Sequence, residues 1–181
     1  MKKILFTFII LLSINLSADD HIKPEQGAFT SLYVSASDVD KYVSFLRKNS
    51  DAFKAIGSSD AGVCITRSGN QYPGQMMIWN AFPSVEAAMI GSLKYDPYKA
   101  TGPISDLRNI KHSTIWKSLK SFRLEPGHEI VGRFKVKQEN ISSFVKAMDS
   151  LEKEIQDNGH PDFFNGVFVS IAGWADWNSV V

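Results

Sequence analysis

The sequence predicts an α+β fold in which strands and helices follow one another as β-α-β-β-α-β and then begin again. Two observations carry this. Apolar residues alternate at strand spacing in some segments and recur at helical spacing in others, in that order, over residues 28–125. Clusters of Gly, Pro, Asn and Ser separate the segments. The composition is that of an ordinary globular chain: 181 residues, 44% hydrophobic and 22% charged, enough for one domain of common size or two very small ones. Disorder, a collagen-like repeat and a disulfide scaffold are excluded, the last because Cys64 is the single cysteine.

Residues 28–35 (AFTSLYVS) alternate into a first strand, with Phe29, Leu32 and Val34 as its main apolar content. Ser37-Asp38 offers an N-cap, after which Val39, Tyr42, Val43, Leu46 and Phe53 recur at helical spacing until Gly57 closes the helix. Residues 61–66 (AGVCIT) make a short buried strand, 68–74 (SGNQYPG) a turn, and 75–82 (QMMIWNAF) the returning strand of a hairpin. Ser84 caps a second helix, and Glu86 in its first turn complements the helix dipole. A looser stretch from Tyr95 to His112 holds two prolines and one short helix around Ile104 to Asn109. Ile115 to Leu124 is the fourth strand, broken by Glu125-Pro126-Gly127.

Past that break the order restarts. Glu129 to Val136 reads as a strand, and Ile141, Phe144, Val145, Met148, Leu151 and Ile155 mark an amphipathic helix ended by Asn158-Gly159. Phe163 to Ala172 is again a strand, with Trp174 to Val181 as its hairpin partner across a turn near Gly173. Gly62-Val63-Cys64-Ile65 matches Gly166-Val167-Phe168-Val169, Val39/Val43/Leu46 match Ile141/Val145/Met148, and Trp79-Asn80 recurs as Trp177-Asn178. With the element order preserved, this reads as a degenerate internal duplication. The expected organisation is a signal peptide at 1–18, a lead-in at 19–27, a complete module at 28–125 and a partial β-α-β-β copy at 126–181.

Residues 1–18 carry the address. Lys2 and Lys3 precede an apolar run from Ile4 to Leu12 and a small-residue end at Leu16-Ser17-Ala18, the tripartite pattern of a secretory leader cut after Ala18. The run is too short to span about 30 Å of hydrocarbon. Export to a periplasmic or secreted location, without stable membrane insertion after cleavage, is therefore expected. Cutting removes two lysines and no acid, which moves the formal charge from +1 to −1. Nucleic acid is excluded as a general partner, because phosphate neutralisation needs a basic surface. Cys64, alone in an oxidising compartment, reads as a packing residue in a strand.

The β-α-β-β-α-β order is the split βαβ, or ferredoxin-like, plan, whose antiparallel sheet carries helices on one face only. Two such sheets packed face to face, from a tandem repeat or from a homodimer, cover the second face. The strand Met77-Ile78-Trp79-Asn80 followed by Ser84-Val85-Glu86-Ala87-Ala88 resembles the strand-ending tryptophan and "s-x-e-a" helix start of the dimeric α+β barrel superfamily, in the style of antibiotic-biosynthesis monooxygenases. The likeness spans the first module well and the second in part. It implies a tandem or dimeric barrel, and cofactor-independent oxygenation or haem modification in an apolar pocket. Many members carry a histidine in the helix after that strand; here Met89-Ile90-Gly91-Ser92 stands there without one.

Trp79 and Asn80 are neighbours on a strand and face opposite sides, so one of them lines the space between sheets. Asn80 would hydrogen-bond a carbonyl or an oxygen species, and Trp79 would stack on a flat ligand. His112 is a candidate acid/base or axial ligand to haem iron, four residues before Trp116. Tyr95 and Tyr98 flank the turn Asp96-Pro97 as the lip of a pocket. At a new N-terminus, Asp19-Asp20-His21 would supply an α-amine, two amides and an imidazole, a square-planar set for Cu(II) or Ni(II). No phosphate loop, HExxH, CxxC or G-x-S-x-G occurs, and no motif assigns a cofactor.

Together these features describe an exported protein binding a small molecule in an apolar, aromatic-lined pocket between sheets. An enzyme of the resembling type, with Asn80 and His112 at work, and a non-catalytic interaction domain are the alternatives. N-terminal sequencing of the protein recovered outside the cytoplasm is expected to begin Asp19-Asp20-His21; an intact Met1 there would overturn the leader.

Overall fold

The computed structural model describes residues 21–22, 27–173 and 179–180. The expected leader, Asp19, Asp20, the His21 side chain and the Trp177-Asn178 pair lie outside the described residues. Strand β1 (His21–Ile22) pairs only with β6 (Phe122–Arg123). The larger sheet is built on β2 (Ala28–Ala36), β3 (Asp60–Ile65), β4 (Gln75–Phe82), β5 (Arg108–Ser118) and β8 (Phe168–Gly173). Two-residue strands β7 (Phe134–Lys135) and β9 (Ser179–Val180) extend it. The order is β3-β4-β2-β5-β8-β9-β7, antiparallel throughout. This is an α+β fold with an antiparallel sheet, and the order β3-β4-β2-β5 is compatible with the ferredoxin-like plan.

Alternation along β2 decides which side is which. Its even-numbered residues Ala28, Leu32, Val34 and Ala36 are buried under helices. Leu32 and Val34 meet Met76 and Ile78 of β4, and Tyr42 and Leu46 of α1 (Val39–Lys48) close over them. Ala28 and Phe82 pack on Ala88 of α3 (Val85–Lys94). Both helices start on the caps expected from sequence: Asp38 accepts the Lys41 N–H at 3.0 Å, and Ser84 accepts the Ala87 N–H at 3.1 Å.

In the second half, α5 (Ile141–Asp157) lays Ile141, Phe144, Val145 and Met148 on Val136, Val167 and Leu119. Alternation from Lys117 and Val169 puts Leu119 and Val167 on the helix-covered side, so α5 joins α1 and α3 on one face. Lys120 pins it there. This nearly buried ammonium donates to Glu152 at 2.6 Å and to the Asn165 carbonyl at 3.0 Å, with Asp149 at 3.3 Å. Among the described residues no helix is long and apolar enough to cross a membrane.

Several boundaries depart from the sequence reading, among them the end of the fourth strand, at Ser118 rather than Leu124. The first helix ends at Lys48 and resumes as α2 (Asp51–Ala55), because the Asn49 amide donates back to the Phe45 carbonyl at 2.8 Å and closes the turn. The fourth strand begins at Arg108 rather than Ile115, so His112 sits inside a strand and the loose stretch ends with α4 (Pro103–Leu107). A bulge hid it: the register shifts between Tyr33 and Val34 of β2, leaving Lys111 as the extra residue and breaking the alternation. The strand expected over Glu129 to Val136 shrinks to Phe134–Lys135, with Ile130 fully exposed, because among the described residues only β9 offers that segment a ladder. The strand expected from Phe163 begins at Phe168, since the Asn165 N–H is spent on the Glu152 carboxylate at 2.8 Å.

Lys120→Met removes the cation that Glu152 and Asp149 share while leaving their carboxylates in place. Urea unfolding is expected to show a loss of about 2–4 kcal/mol, the cost of breaking a buried ion pair from one side; an unchanged midpoint would mean that apolar packing alone docks α5.

Candidate functional site

The face of the sheet opposite the helices is lined by the odd-numbered residues of β2 and their cross-strand neighbours. Phe29, Ser31 and Tyr33 stand beside Ala81, Trp79 and Met77 on one side and Trp116, Thr114 and His112 on the other. The aromatic contacts run on across the sheet. Phe29 stacks on Trp116 at 6.0 Å and meets Phe168 of β8 edge-on at 4.7 Å. Tyr33 stacks on the His112 imidazole at 4.6 Å. Trp116 is 2% exposed, and its indole N–H donates to Ser31 Oγ at 2.8 Å, so the one polar atom of that ring is satisfied. Trp79, Met77, Tyr33 and Phe29 stay half-buried and present ring and thioether surface.

The segment after β6 crosses part of this face. Glu129 Oε2 accepts the Cys64 thiol at 3.4 Å, and the Arg133 guanidinium lies 4.8 Å from the centre of the Tyr33 ring. Arg133 also reaches His112 Nε2 at 3.5 Å. Two effects therefore act on the imidazole: burial first, then the neighbouring guanidinium, which together bring its pKa from 6.5 down to about 4. His112 is a neutral base at physiological pH. Burial, with help from Glu129, pushes the Cys64 thiol up to about 12, so it is an unreactive packing residue.

The structure separates Trp79 from Asn80. Trp79 turns to the aromatic face, its indole lying over Gly62, where a Cβ would overlap the ring. That close approach is what a glycine permits in a strand. Asn80 turns to the helix side, where its amide donates to Thr30 Oγ1 at 3.2 Å and its Oδ1 accepts no bond among the described residues. Trp79, His112 and Trp116 thus share one face, while Asn80 is on the other. Tyr95 and Tyr98 also belong to the helix side, in the connection to α4, where the Tyr95 hydroxyl accepts from Arg108 at 2.7 Å.

Sequence reasoning passed over Tyr33, Met77 and Arg133. Tyr33 and Met77 were findable, since they fall on the period of two that carries Phe29 and Trp79. Arg133 was not, because it reaches the site from a segment that forms no ladder there. Among the described residues, no group of three His, Cys, Asp or Glu side chains gathers to hold a metal.

The depressed His112 fixes a pH dependence. The unfolded imidazole takes a proton near pH 6.5 and the folded one only near 4, so folding stability falls as pH drops through that window. His112→Gln removes the effect: urea midpoints of the parent are expected to fall further than those of the variant between pH 7 and 4.5. Equal losses would show that the imidazole is not held neutral.

In comparison with known proteins, the chain matches no family model and no curated protein.

Proposed function

We propose that the chain is an exported protein that holds a small, largely apolar molecule against the aromatic face of its sheet. One observation carries this reading: the face without helices is not a solvated polar surface but a row of Trp79, Met77, Tyr33, Phe29 and Trp116, partly open. An aromatic surface of this kind with a few satisfied polar groups is the usual lining of a small-molecule site. The tripartite pattern at residues 1–18 supports export.

The strand order supports a tandem arrangement. Numbered within its own module, β3-β4-β2-β5 runs second, third, first, fourth; β8-β9-β7 then runs second, third, first. The fourth strand of one module pairing with the second strand of the next is how two ferredoxin-like sheets join edge to edge into an α+β barrel, with the helix-free faces inside. On this reading the aromatic face is the barrel interior, and a second copy of the chain is the partner that completes it.

An enzymatic reading keeps one specific support: His112, neutral and stacked on Tyr33, is a general base placed on the same face. It would act without Asn80, which is on the other side of the sheet.

A native mass spectrum of the protein exported by its own cells tests the binding reading. The expected result is extra mass of roughly a few hundred daltons, the size of a ligand such a surface encloses, carried by the parent and lost from Trp79→Ala. A bare particle at the mature mass, in parent and variant alike, would overturn it.

A further inference from the structure

On the helix side, away from the aromatic face, Arg108 poses a separate problem. It is 9% exposed, at the start of β5 beneath α1. Its Nη1 donates to the Tyr42 hydroxyl at 2.8 Å and its Nη2 to the Tyr95 hydroxyl at 2.7 Å. Tyr42 is itself buried, and its ring lies 5.9 Å from the guanidinium carbon. No Asp or Glu among the described residues comes within ion-pair distance of this guanidinium. Burial pushes the Tyr42 hydroxyl up, so it is a neutral phenol and no counter-ion.

That is unusual company for a buried charge. Burying a cation costs several kcal/mol unless an anion offsets it. Lys120, the other buried cation, shows the ordinary solution, with Glu152 and Asp149 beside it. Arg108 has phenols where Lys120 has carboxylates. It also lines a cleft of about 250 Å³ shared with Pro97, Tyr98, Ala100, Ser105 and Ile110. Pro97, Tyr98 and Ala100 come from the connection between α3 and α4, and Asn109 also lines the cleft. The space is ample for a small anion.

We propose that this cleft binds a small carboxylate, with Arg108 as its charged partner and Tyr98 at its rim. The guanidinium carries five N–H donors, of which the phenols of Tyr42 and Tyr95 take two and fix its plane, and its planar geometry matches the two oxygens of a carboxylate. This site is independent of the aromatic face and of whatever binds there.

Isothermal titration of the full chain with succinate, acetate and phosphate, against a chloride control, tests it. Succinate or acetate is expected to bind. Arg108→Met should weaken that binding by at least about tenfold, the worth of one charge-assisted bidentate contact. Circular dichroism identifies a failed fold, in which case Tyr98→Ala, at a ring 60% exposed, carries the test with a weaker but measurable loss. Absence of carboxylate binding, binding of phosphate alone, or carboxylate binding unchanged in a folded Arg108→Met or Tyr98→Ala would each overturn the assignment.

Discussion

The described fold is hung on β2, which pairs with β5 over Ala28–Ala36 and with β4 over Ala28–Ser35. A strand with two full partners cannot slip by one residue without turning every side chain over. Its even positions therefore have to feed the helix-covered core, and its odd positions the aromatic face. Val34 and Tyr33 are neighbours in sequence, yet one is sealed under α1 and the other stacks on His112. The partition of the sheet into a helix-covered side and an aromatic side is a property of this one strand.

Charge is handled differently in the two halves. Around Lys120 the chain supplies its own acids and uses the ion pair to dock a long helix. Around Arg108 it supplies only dipoles. On the aromatic face Arg133 rests on the Tyr33 ring and, after burial, lowers the proton affinity of His112.

Much of the fold was readable because local signals agreed with one another. Asp38 and Ser84 cap the helices they were expected to cap, and the Gln75–Phe82 hairpin strand has the expected bounds. The α+β class and helices on one face followed from these. What escaped had physical reasons. A bulge at Lys111 breaks the period of two, so a strand looked like a loop, and Asn49 stops a helix whose apolar spacing continues past it. The candidate site was readable only as types of residue. Trp79, His112 and Trp116 converge because β4 and β5 flank β2, and no local pattern says which strands will be neighbours. Asn80 faces away by the alternation already legible beside Trp79, and Tyr95 leaves with the connection after α3.

The bulge at Lys111 also constrains how this chain can change length. On its far side Arg108 and Ile110 face the helices; on its near side His112 and Thr114 face the aromatics. Deleting Lys111 would restore regular alternation and leave His112 opposite Tyr33 and Arg108 opposite Ala36, each on its present face, whereas deleting a residue from the middle of β2 would turn part of that strand over and drive aromatic side chains into the core. An insertion at Gly69, in a turn with open space around it, would move nothing comparable. Among descendants of this sequence, length variation should gather in the 67–74 turn and at Lys111, and be purged from 28–36, where a shift of one residue exchanges the two faces of the sheet.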